Sequence, residues 1–421
     1  HFWGEGGGLY IDAGDLTEIN LADVSIINNI SKLGGGISYH SGNVNFNTVD
    51  RCNIYNNRAV LGNELFFDRS LSQTIFIDTF TVVNPTDFHI GIQIGMGNDD
   101  VEFNINSGLY DQFDIGVSDI FVSPFGDNNH HGLNSDNPLL NIDNALNRIQ
   151  PDSLNPVNIN LMSGVYGHDT NEYFPIVLNK NISIIGMDKG ETFIDGTNYN
   201  ASALAIYGPE IGEETFWNGT ITIENIHIRN FNTSPVITIS FAKPAFHNIL
   251  LTDNFINSDG NTGILIYSEY SNPWFYQTTI TNNASNRTDD TAFGIAKHSV
   301  VIMINSIVWN EFQHEIMHEN SGGIYVLNSN IKGGLDYLDN PEFNIGLDQD
   351  NLETLPLFTD IAVQNYTLQA GSPCIDSGTA DIDGDGYEDL TDYCGEAPDM
   401  GAYEYIAEGC ELSSASEIPL P

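Results

Sequence analysis

Short runs of alternating apolar and polar residues recur along the first third of the chain at a spacing of 28 residues. Val24-Ser25-Ile26-Ile27-Asn28-Asn29 returns as Cys52-Asn53-Ile54-Tyr55-Asn56-Asn57, and then as Phe80-Thr81-Val82-Val83-Asn84-Pro85. Alternation with a period of two residues predicts β-strands that bury one face. Because the runs share one spacing, they predict a structural repeat rather than isolated strands.

A second landmark has the same period. Gly6-Gly7-Gly8-Leu9 returns as Gly34-Gly35-Gly36-Ile37, and more weakly as Gly62-Asn63-Glu64-Leu65. A repeat this short has no room for crossover helices, so it predicts an all-β, right-handed parallel β-helix. Ile26, Ile54 and Val82 should then lie above one another, about 4.8 Å apart. A β-sandwich with coincidental spacing is the alternative.

Asparagine and glycine occupy the predicted corners of each coil, where positive φ angles are needed. Asn28, Asn56 and Asn84 hold equivalent positions and can form a hydrogen-bonded ladder along the axis. Similar patterns recur in residues 223–228, 247–251, 278–281 and 304–308, at looser spacings of about 23 to 30 residues. The looser spacing predicts loops that project from the coils and carry recognition.

Residues 119–186 interrupt the repeat with a polar loop and one short amphipathic helix around Ala145-Leu146, for which Pro138 suits the first turn. This segment resembles the opening of a family of bacterial exported β-helix proteins of unassigned function. The matching residues are Phe121-Val122-Ser123-Pro124, Gly126-Asp127, Gly132, Pro138, Ile142, Ala145-Leu146, Gly164-Val165-Tyr166, Pro175-Ile176 and Gly186. Phe121 and Asn141 replace the usual Tyr and Thr, and no residue separates Gly126 from Asp127.

The resemblance implies that the segment starts a second β-helix, whose exposed first coil is capped by the short helix. We therefore predict five regions. Residues 1–115 are the last coils of a first β-helix, 116–200 the capping segment and first coils of a second, and 201–370 its remaining coils with projecting loops. Residues 371–408 form a closing module, and 409–421 a linker tail. His1 opens inside a patterned segment without an initiator Met, which suggests a mature or trimmed form.

The charge balance narrows the partners. The chain has 57 acidic and 12 basic residues and a formal net charge of −45, although charged residues make up only 16% of it. Nucleic acids and anionic membrane surfaces require clusters of Lys and Arg, so neither is expected as a partner. No run of about 18 apolar residues occurs, so no membrane insertion is expected. Divalent cations and neutral polymers are the partners that this charge favours.

The most specific chemical motif is an acidic loop near the C-terminus. Asp381, Asp383, Asp385, Tyr387 (through its carbonyl), Asp389 and Asp392 match ligand positions 1, 3, 5, 7, 9 and 12 of an EF-hand-like loop, with Gly386 at position 6. We predict that these residues bind Ca²⁺, because carboxylates at this spacing repel one another without a cation. A solvated acidic turn is the alternative. With Asp399-Met400-Gly401-Ala402-Tyr403-Glu404-Tyr405, the loop looks like the closing module of the same family, which implies a structural role for the ion.

Three of the four cysteines, Cys374, Cys394 and Cys410, lie close to this module, whereas Cys52 lies far away. The clustering suggests a disulfide in an exported protein, for which we predict Cys374 with Cys394 and regard Cys410 as a competing partner. The expected localisation is therefore secreted or on the bacterial cell surface.

Candidate binding residues are few. The aromatic runs that contain Trp217, and Trp274 with Tyr276, can form a platform for a neutral glycan, or can equally pack between coils. His314 and His318 could share a face and bind a metal only if their loop were helical; two surface imidazoles are the alternative. Lys297-His298 is a weak candidate for a catalytic base.

We thus carry two functional hypotheses. The first is a non-catalytic extracellular adhesin, scaffold or fibre component, which binds calcium and has an extracellular glycan or further copies of itself in filaments as partners. The second is a polysaccharide lyase or glycoside hydrolase. No GHG or RxK motif and no clustered Lys or Arg supports it. It would be favoured by a carboxylate close to another carboxylate, or to a Lys or His, in a groove on one sheet face.

Overall fold

The computed structural model describes residues 4–14, 17–68, 73–92, 101–114, 116–150, 155–178, 181–208, 221–258, 263–319, 321–336, 338, 343–382, 384–410 and 412. In these residues the chain is all-β apart from one short α-helix and two 3₁₀ turns, and its sheets are parallel except for one hairpin. The architecture is the predicted right-handed parallel β-helix, with the hand that parallel crossover connections adopt.

The chain divides into two compact units. The first comprises residues up to Ser118 together with Ile142–Val157, and the second comprises Asp119–Asn141, Asn158–Gly208 and the described residues from 221 onwards. The strands of the first unit are β1 (Leu9–Asp12), β2 (Glu18–Leu21), β3 (Ser25–Ile27), β4 (Ile30–Leu33), β5 (Ile37–Ser41), β6 (Asn43–Phe46), β7 (Cys52–Tyr55), β8 (Arg58–Leu61), β9 (Leu65–Phe67), β10 (Gln73–Phe80), β11 (Ile90–Ile92) and β12 (Val101–Gly108).

The second unit contains most of the strands. They are β13 (Asp119–Val122), β14 (Val157–Leu161), β15 (Gly164–Tyr166), β16 (Ile176–Leu178), β17 (Ile182–Gly186), β18 (Thr192–Asp195), β19 (Leu204–Tyr207), β20 (Thr222–Glu224), β21 (His227–Arg229), β22 (Ile237–Ser240), β23 (Ala245–His247), β24 (Leu250–Thr252), β25 (Phe255–Ile256), β26 (Ile264–Glu269), β27 (Trp274–Tyr276), β28 (Thr279–Thr281), β29 (Ala284–Ser285), β30 (Thr291–Ala296), β31 (Ser299–Ile304), β32 (Ile307–Trp309), β33 (Ile316–Glu319), β34 (Gly322–Leu327), β35 (Asn330–Ile331), β36 (Phe343–Gln349), β37 (Phe358–Asp360) and β38 (Asn365–Leu368).

Three parallel sheets form the walls of the second unit. The long sheet has the order β13-β14-β17-β20-β23-β27-β31-β34-β36, the middle sheet β15-β18-β21-β24-β28-β32-β35, and the short sheet β16-β19-β22-β26-β30-β33. Each sheet takes one strand from each successive coil, which leaves one face of every strand directed into the core. The hairpin β37–β38 is antiparallel and follows the last coil.

The register of the first unit confirms most of the predicted repeat. Leu9 pairs with Ile37 and Ile37 with Leu65, two steps of 28 residues, and Ile26 pairs with Ile54. The prediction was wrong for Val82, because Ile54 pairs with Phe80 instead. The register shifts between Ile77 and Thr79, and this irregularity moves the third coil by two residues.

The predicted asparagine ladder exists, but it is built by the next residue along the chain. Asn28 and Asn56 adopt positive φ angles of 56° and 55°, as corner residues. The following Asn29 donates from its backbone N–H and from its side-chain amide to Asn57 Oδ1, at 3.0 and 2.9 Å. Asn84 does not join the ladder and bonds to Gln112.

A buried carboxylate ends this ladder. The side-chain amide of Asn57 donates to Glu64 Oε2 at 2.6 Å, and Thr81 Oγ1 bonds to the other carboxylate oxygen. Glu64 is fully buried. Glu64 therefore supplies the acceptors that an Asn of a further coil would supply.

The second unit repeats the device with longer reach. Asn254 donates to Asn283, Asn283 donates to Asn310, and Asn310 donates to Glu315, each time through both the backbone N–H and the side-chain amide. All four residues are at least 98% buried. Because buried amides need partners, these ladders specify the stacking register of the coils.

The buried glutamate predicts a stability that depends on pH. Burial raises the pKa of Glu64 to about 7, from an ordinary value of 4.5. The folded state therefore binds a proton more tightly than the unfolded state, so the stability from this group is full below about pH 4.5 and is lost as the pH rises through about 7. In Glu64→Gln the amide can donate to Thr81 Oγ1 while its carbonyl still accepts from Asn57, so this dependence should vanish.

We expect the difference in unfolding free energy between the native protein and Glu64→Gln to change by about 3 kcal/mol between pH 5 and pH 8, in favour of the variant at pH 8. Urea unfolding followed by circular dichroism at the two pH values measures it. Glu18→Gln, which removes an exposed carboxylate of the same unit, serves as the control. Parallel pH profiles for the native protein and Glu64→Gln would contradict the prediction.

The short helix α1 spans Ile142–Arg148 and belongs to the first compact unit. Pro138 therefore precedes the helix and does not lie in its first turn as predicted. Asp143 forms an ion pair with Arg58, and the carbonyl of Asn147 accepts from His89 Nε2 at 3.1 Å. Burial lowers the pKa of His89 to about 4, so its ring is neutral near pH 7. Among the described residues, no helix is long and apolar enough to cross a membrane.

Candidate functional site

The closing module, residues 371–408, lies along the outer faces of two sheets of the second unit. Tyr276 and Ile304 of the long sheet pack against Ile382 and Leu390 of the module. On the middle sheet, Ile307 packs against Cys374 and Met400, and Leu250 against Ala402. The module thus covers apolar residues of several successive coils rather than only the last one.

Backbone hydrogen bonds fix the module in this position. Gly401 N donates to the carbonyl of Asn305 at 2.8 Å, and Ala402 N donates to Thr279 Oγ1 at 2.9 Å. Asn305 also binds the module through its side chain, which donates to the carbonyl of Thr379 and accepts from its N–H. Packing and polar contacts therefore hold the acidic loop on a rigid support.

The acidic loop forms a tight turn around its first carboxylate. Asp381 accepts hydrogen bonds from Gly384 N at 2.8 Å and from Gly386 N at 2.9 Å, and both glycines have positive φ angles. Asp389 closes the turn by accepting from Ile382 N at 2.7 Å. Position 6 of such a loop needs glycine for the sharp turn, and Gly386 meets this need.

The predicted ligands differ in accessibility. Asp385 and Tyr387 are exposed, Asp381, Asp389 and Asp392 are half-buried, and Asp383 lies outside the described residues. In the part of the chain that the structure describes, no three His, Cys, Asp or Glu side chains form a group able to hold a metal ion. The turn geometry fits the motif, and calcium binding stays a prediction.

The predicted aromatic platform is corrected at Tyr276. Its side chain is only 1% exposed and lies beneath Ile382 and Leu390, so it cannot stack on a ligand from solvent. Trp274 is half-buried, packs against the same cluster and stacks on Tyr276 with 5.5 Å between ring centres. Trp217 lies outside the described residues.

The disulfide pairing is also corrected. Cys394 bonds to Cys410, across 16 residues, and not to Cys374. Cys374 is a free, fully buried thiol whose pKa is raised by burial, and Cys52 is buried and free as well. Cys374 instead packs on Ile307 and accepts a hydrogen bond from Asn330, which places it in the interface between the module and the middle sheet.

Sequence reasoning missed a second group of aromatic residues, at the corner between the short and long sheets. Phe241 and Tyr270, from successive coils, stack with ring centres 4.9 Å apart and planes 9° from parallel. On the next coil, Lys297 lies 5.9 Å from the centre of the Tyr270 ring, and His298 lies 6.3 Å from it. We call Phe241, Glu269, Tyr270, Lys297 and His298 the corner surface.

A carboxylate organises the polar part of the corner surface. Glu269 Oε2 lies 2.5 Å from Lys297 Nζ and accepts from the Tyr267 hydroxyl at 3.2 Å, while Ser240 Oγ donates to Oε1 at 3.2 Å. Burial and the negative charge of Glu269 raise the pKa of Tyr207 to about 12, which keeps this phenol protonated. The result is an aromatic face beside a fixed set of hydrogen-bonding groups.

The backbone of the corner surface is unusual. Phe241, Tyr270, Lys297 and His298 have φ angles of 55°, 48°, 46° and 64°. Bulky residues seldom adopt positive φ, which costs about 1–3 kcal/mol each and is concentrated at functional sites. The sequence signal was the residue pair at the end of each short-sheet strand, Ser240-Phe241, Glu269-Tyr270 and Lys297-His298, which recurs about once per coil.

Three comparisons place the chain among known proteins. The model of a family described as protein of unknown function (DUF1565) matches residues 125–340. A search of curated proteins found no match. Among solved structures, the chain is similar to one described as the crystal structure of pectate lyase Pel9A, at 10% sequence identity, covering 68% of this chain and 96% of that chain with a TM-score of 0.22.

Proposed function

This chain belongs to the family of proteins of unknown function DUF1565, and from that premise we propose that it is a non-catalytic β-helix of the extracellular space or cell surface that binds a glycan. In this proposal the rigid solenoid serves as an adhesin, scaffold or fibre component, and calcium stabilises its closing module. Self-assembly into filaments stays a prediction.

The observation that carries the proposal is the corner surface. The stack of Phe241 on Tyr270 offers an apolar face, and Glu269 with Lys297 supplies an acceptor and a donor beside it. Sugars expose apolar C–H faces and hydroxyl groups, so they suit aromatic rings edged by hydrogen-bonding groups. The net charge of −45 favours a neutral glycan over an acidic one.

We expect Tyr270→Ala to weaken glycan binding at least tenfold, about 1.4 kcal/mol, because the ring is the centre of the proposed contact. A glycan array identifies the ligand, and titration calorimetry measures the affinities. Phe125→Ala is the matched control, because Phe125 is 90% exposed and lies outside the corner surface. Equal binding by the native protein and Tyr270→Ala, with the fold intact, would exclude the corner surface as the glycan site.

Glu269 and Lys297 also favour a second candidate, a polysaccharide lyase or glycoside hydrolase. A carboxylate 2.5 Å from an amine on one outer surface, with His298 next in sequence, is a pair that acid–base chemistry can use. Incubation with uronate and neutral polysaccharides decides between the two. Released sugars or unsaturated products that disappear in Lys297→Met would favour the enzyme.

Calcium is expected to stabilise the second unit, because the acidic loop is flanked by Ile382 and Leu390, which pack on the long sheet. At a calcium concentration 100 times the dissociation constant, the gain is about 2.7 kcal/mol. Thermal unfolding with calcium and with a chelator measures it.

The variant Asp385→Asn should lose most of this gain. Asp385 is exposed and its Oδ1 accepts only from Tyr387 N in the turn, so the amide can keep that bond while removing a ligand charge. Asp169→Asn, at a fully exposed carboxylate, controls for the change in net charge. A native protein whose unfolding ignores calcium would overturn the metal site.

A further inference from the structure

A cavity of about 360 Å³ opens where strands β30 and β33 begin, at the end of the short sheet remote from the corner surface. Its polar walls include Asp289, Gln313, His314 and His318, and its floor includes Ile316 and Met317. The two histidines thus reach one cavity although their segment is not helical, since His314 lies in a loop and His318 in β33. Volumes of this size are at the small end of ligand-binding cavities.

The carboxylates of the cavity are already engaged by the protein. Asp289 receives two hydrogen bonds from the guanidinium of Arg287, at 3.0 and 2.6 Å. Asp290 is buried, accepts from Gly263 N at 2.6 Å and bonds to the Ser285 hydroxyl. Each carboxylate keeps its negative charge in this arrangement, and one cation, Arg287, stands against the two.

This charge pattern selects against acidic ligands. A uronate carboxylate in the cavity would lie beside Asp289 and Asp290, and like charges at close range raise each other's energy. Neutral hydroxyl groups meet no such cost. They can donate to Asp289 and exchange hydrogen bonds with the amide of Gln313 and the rings of His314 and His318. Ile316 and Met317 provide an apolar contact for a C–H face.

We propose that this cavity binds one neutral saccharide unit, or a side branch of that size, and rejects uronic acids. The inference rests on the proposed glycan-binding function for the class of ligand, but it names a second site, one that the corner surface does not include. A glycan held at both ends of the short sheet would bind more tightly than at either end alone.

The test uses the full chain with its methionine methyl groups labelled for NMR, titrated with neutral methyl glycosides and with the matching methyl uronosides. We expect saturable shifts of the Met317 methyl signal with at least one neutral glycoside, and a tenfold weaker response to its uronoside. His314→Ala should weaken the neutral response several-fold, whereas Phe125→Ala should leave it unchanged. Met187, which is 67% exposed, reports non-specific effects.

The sharper variant is Asp289→Asn, which leaves the Arg287 guanidinium opposite a neutral amide. The net charge of the cavity rises by one, so the preference for the neutral glycoside over the uronoside should shrink or reverse. No Met317 shift with any neutral glycoside would overturn the inference, and so would equal responses to both classes in the native protein. Because single sugar units report on Met317 whether or not polymers bind at Tyr270, failure here is distinguishable from failure of the proposed function.

Discussion

Asn57→Ala is expected to lower the stability of the first unit by about 4 kcal/mol, the cost of leaving several buried polar groups without partners. Asn57 Oδ1 accepts both donors of Asn29, and the Asn57 amide donates to Glu64, to Ile26 O and to Tyr55 O. Alanine removes all of these contacts at a site that is 1% exposed. The buried Glu64 carboxylate then loses its closest amide donor.

Hydrogen exchange of peptides that cover β3 and β4 measures this effect, because it reports the opening of the first unit separately from the second. Asn45→Ala is the matched control. Asn45 also bonds to an asparagine of the preceding coil, Asn20, at 3.3 Å, but that bond lies at the surface. The control should cost less than about 0.5 kcal/mol. Similar losses for the two variants would contradict the idea that burial gives the ladder its weight.

Tyr276→Ala should destabilise the second unit by about 4 kcal/mol, within the range for large aromatic residues in cores. The ring lies between Ala245 and Ile304 of the long sheet and Ile382 and Leu390 of the closing module, so its removal opens a cavity under the module. Urea unfolding followed by the fluorescence of Trp274 and Trp309 measures the loss.

Tyr276→Phe separates packing from hydrogen bonding at the same position. The Tyr276 hydroxyl is buried and has no hydrogen-bond partner among the described residues. Removing it should therefore leave the stability unchanged or raise it by about 1 kcal/mol. If the Phe variant lost as much stability as the Ala variant, the hydroxyl rather than the ring would be the stabilising group, and the interpretation of Tyr276 as a packing residue would fail.

The repeat was predictable because a coil leaves a periodic trace in the sequence. Two residues repeated 28 positions apart, such as Leu9 and Ile37, face the same core and need the same shape. The slip at Phe80 was not predictable, because Phe80 and Val82 lie on the same side of the alternation and either can fill the third coil. Likewise Asn28 and Asn29 are adjacent asparagines, and only the backbone decides which one turns inward.

The path of the closing module was harder to foresee. Its contacts join residues far apart in sequence, such as Thr279 and Ala402, and no local pattern encodes them. A signal did exist in the strands beneath it: Trp274-Phe275-Tyr276 and Ile302-Met303-Ile304 are apolar at every position. Strands with both faces buried read as continuous apolar runs. Such runs in a solenoid predict that something covers the outer wall at those coils.

The glutamates that end the two asparagine ladders give the column a modular character. Within a ladder every coil presents an acceptor to the coil before it and donors to the coil after it, so an added or deleted coil of the same pattern would leave each remaining amide with an equivalent neighbour. Glu315 breaks this equivalence, because both of its oxygens accept from Asn310 and it passes on no amide donor. In evolution, or in engineering, such a solenoid can therefore change its length in the middle, whereas its last rung is fixed.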